Sequence, residues 1–349
     1  MTQATRADQQ TAGPEHDPDV IASLRDVEMR FRVGGGLGRA SYVHAVDGVT
    51  LDVLRGECLG LVGESGCGKS TVARVLTGLY EPTGGSTSFE GHDLSGMRGS
   101  QIRRFRRDTQ MVFQDPYGSL NPRWRIRSIV EEPLRAHHVG DRASRERAVA
   151  EAIEMVGLDP ARTLDRFPHE FSGGQRQRIS IARAIVMKPK LVVADEAVSA
   201  LDVSVQAQIL NLLMDLQRDL NLTYVFIAHG LDVVRHVSNR VGVMYLGKLV
   251  EIAEVEDLYE RPAHPYSRAL LASSPVADPR ARGNEPALQG ELPSPMNPPS
   301  GCRFRTRCPR ATERCATDEP ALLQIGTRRS VACHYPLLDE QDPERGDHA

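Results

Sequence analysis

Along the first two-thirds of the chain, short apolar runs end repeatedly at polar or glycine-bearing loops. The runs at 58–62, 110–113, 191–194 and 224–228 are too short for helices and read as buried strands. Between them, apolar residues recur at helical spacing over 69–79, 142–156, 175–187 and 203–220. Alternation of this kind across 21–250 predicts an α/β domain with a largely parallel sheet. The stretch from about 117 to 171 departs from it. That stretch is helix-patterned and arginine-rich, is broken by Pro116, Pro122 and Pro133, and holds no convincing strand. It reads as a helical subdomain inserted between two sheet strands.

After Arg261 the pattern changes again. Prolines cluster from Pro262 to Pro299, periodicity fades, and four of the six cysteines fall here, so a loop-rich C-terminal extension is expected. The reading is therefore a polar, disordered tail over 1–20, an α/β domain over 21–260, an extension over 261–340 and a short tail over 341–349. No internal repeat is present.

Composition narrows the function classes. Hydrophobic residues make up 40% and charged residues 26% of 349, as in a globular protein with a real core. The 43 basic and 46 acidic residues leave a formal charge of -3, which gives no basic footprint for nucleic acid. The run Arg103, Arg104, Arg106, Arg107 reads as a solvated face. No secretory h-region opens the chain, and no apolar stretch is long enough to span a bilayer. The expectation is a cytosolic protein, or one held at a membrane through partners, with reduced cysteines. Lys69, Lys188, Lys190 and Lys248 are the only lysines among 43 basic residues, which makes each of them informative.

The run Gly63, Glu64, Ser65, Gly66, Cys67, Gly68, Lys69, Ser70, Thr71 fits G-x-x-x-x-G-K-[ST] between a strand and a helix. Its glycines let backbone N–H groups turn inward on phosphate oxygens, and the helix N-terminus adds its positive end. Lys69 would reach the β- and γ-phosphates of ATP, and the Ser70 hydroxyl would ligate Mg²⁺. A compact ammonium suits that task better than a planar fork. The strand at 191–194 delivers Asp195 and Glu196 at its C-terminal end, the edge where open α/β sheets bind ligands. Asp195 is placed to hold Mg²⁺ and Glu196 to polarise the attacking water as general base. Ser172, Gly173, Gly174 and Gln175 open another helix and form a second potential anion site. Two anion sites on different helices suggest that they meet across a dimer.

Together with Gln114 in Met111-Val112-Phe113-Gln114-Asp115, with Ser199-Ala200-Leu201-Asp202 and with His229, these runs stand in a familiar order. They resemble the Walker A loop, Q-loop, signature motif, Walker B strand, D-loop and switch histidine of ABC-transporter nucleotide-binding subunits. The resemblance covers 21 to about 260 and implies a P-loop NTPase fold of the ABC type with an inserted helical subdomain. It also implies two cassettes sandwiching two ATP molecules head to tail. Each Ser172–Gln175 segment would close on the γ-phosphate in the partner's loop. In that scheme Gln114 senses Mg²⁺ and water beside the membrane-subunit groove, with Ser70 and Asp195 completing the Mg²⁺ set. His229 contacts the γ-phosphate. Phe31 falls where the adenine-stacking aromatic is usual, with Tyr42 or simple core packing as alternatives. Ala197 and Gly230 depart from the family's usual proline and aspartate; a loosened site or a changed rate is expected rather than a dead one.

The extension resembles that of oligopeptide and dipeptide permease ATP-binding subunits. The matching runs are Ala263-His264-Pro265-Tyr266-Ser267-Arg268-Ala269-Leu270-Leu271, Gly290-Glu291-Leu292-Pro293-Ser294-Pro295 and Pro299 through Pro309. Asn121-Pro122-Arg123 resembles the F-type subunit of that pair. The resemblance implies an ATPase energising import of peptides or a related small solute from the cytoplasmic face of the membrane. Its partners would be a second cassette, alike or different, two transmembrane permease subunits and, indirectly, an extracytoplasmic solute-binding protein. Alternative readings are a soluble ABC ATPase acting on nucleic acid or ribosomes, and a regulatory subunit that binds ATP without turnover. Cys302, Cys308, Cys315 and Cys333 are spaced more loosely than zinc-ribbon pairs. Related subunits can hold an iron–sulfur cluster on such a set, so a [4Fe–4S] cluster, zinc or unliganded thiols all stay open. Cys67 reads as a small filler in the phosphate loop, and His334 as a surface residue.

Overall fold

The computed structural model describes residues 17–34, 41–199, 201–228, 230–273 and 290–338. Its first two strands, β1 (Val20–Val33) and β2 (Ser41–Leu54), form a long antiparallel pair. The other strands are β3 (Cys58–Val62), β4 (Gly84–Phe89), β5 (His92–Asp93), β6 (Thr109–Val112), β7 (Leu191–Asp195), β8 (Thr223–Ile227), β9 (Arg240–Tyr245) and β10 (Lys248–Glu254). Two short strands close the series, β11 (Leu323–Gly326) and β12 (Arg329–Val331).

Every residue of β3, β7 and β8 is buried, which is why they read as continuous apolar runs. Period-two alternation survives as a choice between two cores. Leu59, Leu61, Leu191, Val193, Val225 and Ile227 point into one, together with Leu24, Val49 and Leu51 of β1 and β2. Cys58, Val62, Val192, Ala194, Tyr224 and Phe226 point into the other, against the helices. The central sheet runs β11-β12-β10-β9-β3-β8-β7-β6, and a separate antiparallel sheet runs β2-β1-β4-β5. Strands β9, β3, β8, β7 and β6 are mutually parallel. The expectation of a parallel sheet therefore holds for the centre, while β10, β12 and β11 extend it antiparallel.

Among the described residues, 117–171 contains helical segments and no strand; the main ones are Ile126–Ala136 and Arg142–Met155. Pro133 does not break the first of these. It sits buried inside that helix, where it forgoes one mid-helix bond while its own carbonyl still accepts from the His137 N–H at 3.1 Å. The second helix is capped by Asp141, whose carboxylate accepts from the Ser144 N–H at 2.8 Å.

The extension is tied to the core more firmly than its composition suggests. Strands β11 and β12 join the central sheet through β10. The fully buried Glu251 carboxylate accepts from the N–H groups of Ala263 and His264, each at 2.8 Å. Tyr266 and Phe304 are buried in the helical core, each contributing about 1.5–3 kcal/mol on transfer from water. No helix among the described residues is long and apolar enough to cross a membrane.

Candidate functional site

The phosphate loop lies between β3 and the helix Lys69–Leu76, as its spacing predicts. Gly63 must be glycine: its φ is 146°, and a Cβ there would stand 2.2 Å from the Met244 carbonyl oxygen. The helix N-terminus carries no side-chain cap, so its first amides face the loop. Lys69 is 4% exposed, and its Nζ donates to the carbonyls of Gly63 at 2.8 Å and Glu64 at 3.1 Å. Cys67 is buried beside it, and burial raises its thiol pKa despite the neighbouring ammonium. That favours the inert filler over a reactive thiolate.

Strand β7 brings its two carboxylates to the mouth of the loop. Ser70 Oγ donates to Asp195 Oδ1 at 2.9 Å, so a hydroxyl and a carboxylate converge where a divalent cation on the phosphates would sit. Gln114 Nε2 donates to Glu196 Oε2 at 2.5 Å, across from β6. Glu196 is 7% exposed and holds a left-handed φ of 51°. A non-glycine residue in that conformation costs of order 1–3 kcal/mol, and the surrounding structure holds it there. Its own amide donates to Ile227 on β8 at 2.9 Å, fixing the kink. Ala197 and Val198 follow, both buried.

The second anion motif opens the helix Gly173–Ile185. Ser172 and Gln175 form a capping box: the Ser172 N–H donates to Gln175 Oε1 at 3.1 Å, and the Gln175 N–H to Ser172 Oγ at 3.4 Å. Gly174 packs on the helix Val203–Leu220, and a Cβ there would stand 2.4 Å from Val205 Cγ1. Both Ser172 and Gln175 are exposed. The structure does not bring this motif and the phosphate loop into one contact within the chain.

Phe31 packs edge-on against Tyr80, with ring centroids 5.5 Å apart, while Tyr42 is exposed. His229 and Ala200 lie outside the described residues. Ser199 Oγ donates to the Glu196 carbonyl at 3.0 Å, and Asp202 precedes the helix Val203–Leu220 as its N-cap residue. Sequence reasoning missed the hold on Glu64. Its amide donates to Tyr266 Oη at 3.0 Å, and its carboxylate takes the Arg307 guanidinium, both from the extension. No short-range pattern announces pairs 202 and 243 residues apart.

Cys302, Cys308, Cys315 and Cys333 line a single small cavity, with His334 also at its wall. All four are free thiols. Burial pushes Cys302 up to about 11, and proximity to the other three thiols adds to it; burial likewise raises Cys308 and Cys333. Among the described residues, no group of three or more His, Cys, Asp or Glu could hold a metal ion as they stand.

Residues 46–199 match the family model described as ABC transporter, and 250–315 match the C-terminal region of oligopeptide/dipeptide transporters. The chain is 50% identical over 323 residues to the oligopeptide transport ATP-binding protein AppF of Bacillus subtilis strain 168, across 90% of this chain and 97% of that protein. It is also 50% identical to the oligopeptide transport ATP-binding protein OppF of Escherichia coli strain K12, across 90% and 96%. Among solved structures, the dimeric bacterial ABC transporter cassette MJ0796 superposes with a TM-score of 0.60 at 27% identity. That match covers 67% of this chain and 99% of the cassette.

Proposed function

This chain belongs to the ABC transporter family, among its oligopeptide and dipeptide transport ATP-binding proteins, and from that premise we propose that it hydrolyses ATP to drive peptide import through a membrane permease. The observation that carries the reading is the meeting of Ser70 with Asp195 and of Gln114 with Glu196 at the mouth of one phosphate loop.

The residues divide the work as follows. The amides of Gly63–Thr71 donate to the β- and γ-phosphates, and Lys69 exchanges its loop carbonyls for phosphate oxygens. Phe31 offers a ring to the adenine. Ser70, Asp195 and Gln114 would hold Mg²⁺, which would supply charge neutralisation to the phosphates. Glu196 takes a proton from the water that attacks the γ-phosphorus, and Gln114 orients that water from the carboxylate it already bonds. His229 steadies the γ-phosphate. The exposed Ser172–Gln175 end completes the site of a second cassette, and Ser199–Asp202 lines the seam. Two permease subunits would dock at the Gln114 groove on the cytoplasmic face, fed by an extracytoplasmic solute-binding protein.

In the assembled transporter, Glu196→Gln should lower turnover by about 10²–10⁴ while ATP still binds. Equal turnover in that variant would remove Glu196 from the role of base. For the four cysteines we propose a [4Fe–4S] cluster, supported by their common lining of one cavity and by the suitability of four thiolates; holding it requires them to rearrange from their present positions. Visible absorbance and iron content of anaerobically purified protein test it, and colourless, iron-free protein would refute it.

A further inference from the structure

The phosphate loop of this chain carries a carboxylate, Glu64, immediately after its first glycine. A negative charge beside a polyphosphate cradle opposes the ligand, so its neutralisation bears on affinity. The neutralising group comes from the far end of the chain. Arg307 Nη1 donates to Glu64 Oε2 at 2.6 Å and Nη2 to Glu64 Oε1 at 3.0 Å. This is the two-pronged geometry that only a guanidinium supplies. The Arg307 side chain is 5% exposed and that of Glu64 25%, so solvent screens the pair weakly.

The rest of Glu64 is held as well. Its amide donates to Tyr266 Oη at 3.0 Å, and its carbonyl accepts from Lys69 Nζ at 3.1 Å. Tyr266 is fully buried, with its ring 4.7 Å from Tyr245 and 5.4 Å from Phe304. Phe304 and Arg307 lie on the same segment, 302–308, which is pinned at its other end. There Arg303 bonds the Leu246 carbonyl, after β9, and the Asp47 carboxylate on β2. The segment thus forms a strap across the back of the phosphate loop, anchored by two arginines and one aromatic cluster.

We propose that Arg307 is a positioning residue for ATP: acting through Glu64, it sets the affinity of the phosphate loop, so that the C-terminal extension governs nucleotide binding. The inference rests on the assignment of Gly63–Thr71 as the ATP loop. Removing Arg307 leaves an uncompensated carboxylate at the cradle. Removing the charge of Glu64 as well relieves the repulsion, which a merely structural role for Arg307 would not allow.

The test is calorimetric titration of Mg-ATP and Mg-ADP into the full chain in the Glu196→Gln background, which prevents turnover. Arg307→Ala should weaken Mg-ATP binding roughly tenfold to a hundredfold, and Mg-ADP less, since ADP carries less charge. Arg307→Lys, which keeps the charge and loses the fork, should fall between. The double variant Glu64→Gln/Arg307→Ala should bind more tightly than Arg307→Ala alone. Unchanged ATP affinity in Arg307→Ala, or a double variant no better than the single, overturns the proposal. Should Arg307→Ala not fold, Arg307→Lys and Glu64→Gln decide alone: the first must weaken ATP binding and the second must strengthen it, and any other pair of results overturns the proposal. A parent chain that binds no ATP would instead overturn the assignment of the loop itself.

Discussion

Two helix N-termini in this chain offer N–H groups to an anion, and they are furnished differently. At Lys69 no side chain caps the helix, and the ammonium is buried against the carbonyls of the loop that precedes it. At Gly173 the end is closed on itself by the reciprocal Ser172–Gln175 bonds and stands exposed. The first is a cradle completed by residues of its own chain, including Arg307 and Tyr266. The second has a hydroxyl and a helix dipole but no buried ammonium of the Lys69 kind. On the reading proposed above, such an end serves a ligand that a second cassette carries to it.

Three variants press on that contrast. The largest effect should come from Lys69→Ala. Loss of the buried cation should weaken ATP binding by the lone chain about a hundredfold or more, read by titration with Mg-ATP. Were binding to survive intact, the loop would not be the cradle. Ser172→Asp should act the opposite way. Aspartate still caps the helix, so the lone chain should fold and bind ATP as before. Its carboxylate would nevertheless repel the phosphate brought by a partner, lowering turnover of the assembled complex about tenfold to a thousandfold. A drop in ATP affinity of the isolated chain would place Ser172 in the same site as Lys69 and erase the distinction. The smallest effect is expected from Asp141→Ala, at a third helix start where the cap has no further task. It should cost about 1 kcal/mol of stability in thermal or denaturant unfolding and leave turnover alone. A turnover loss there comparable to that of Ser172→Asp would show that cap loss, not phosphate repulsion, explains the latter.

Much of the site could be read from the chain because its signals are local. Strand β3 is predicted residue for residue, and so is the helix Val203–Leu220. Full burial on both faces made the first a solid apolar run, and helical periodicity marked the second. The 14-residue strands β1 and β2 escaped because register shifts between Leu24 and Val27 and again near Met29 break their alternation. Strands β11 and β12, of four and three residues, owe their existence to pairing, β12 with β10 and β11 with β12, and not to any pattern of their own. The left-handed φ of Glu196 is equally invisible, since it follows from anchoring to Ile227 across the sheet. The Arg307–Glu64 pair is the extreme case: two ordinary charges become one functional unit only once the fold places them together.

ATP bound in one chain should be hydrolysed only when a second cassette presents its Ser172–Gln175 end or the equivalent. That dependence is tested most directly by separating the purified protein by size, with light scattering for mass, and assaying ATP binding and phosphate release across the same fractions. Monomer should bind ATP with negligible release, and release should follow the dimer or the assembled transporter alone. A strictly monomeric fraction that releases phosphate at the rate of the assembled complex would contradict it.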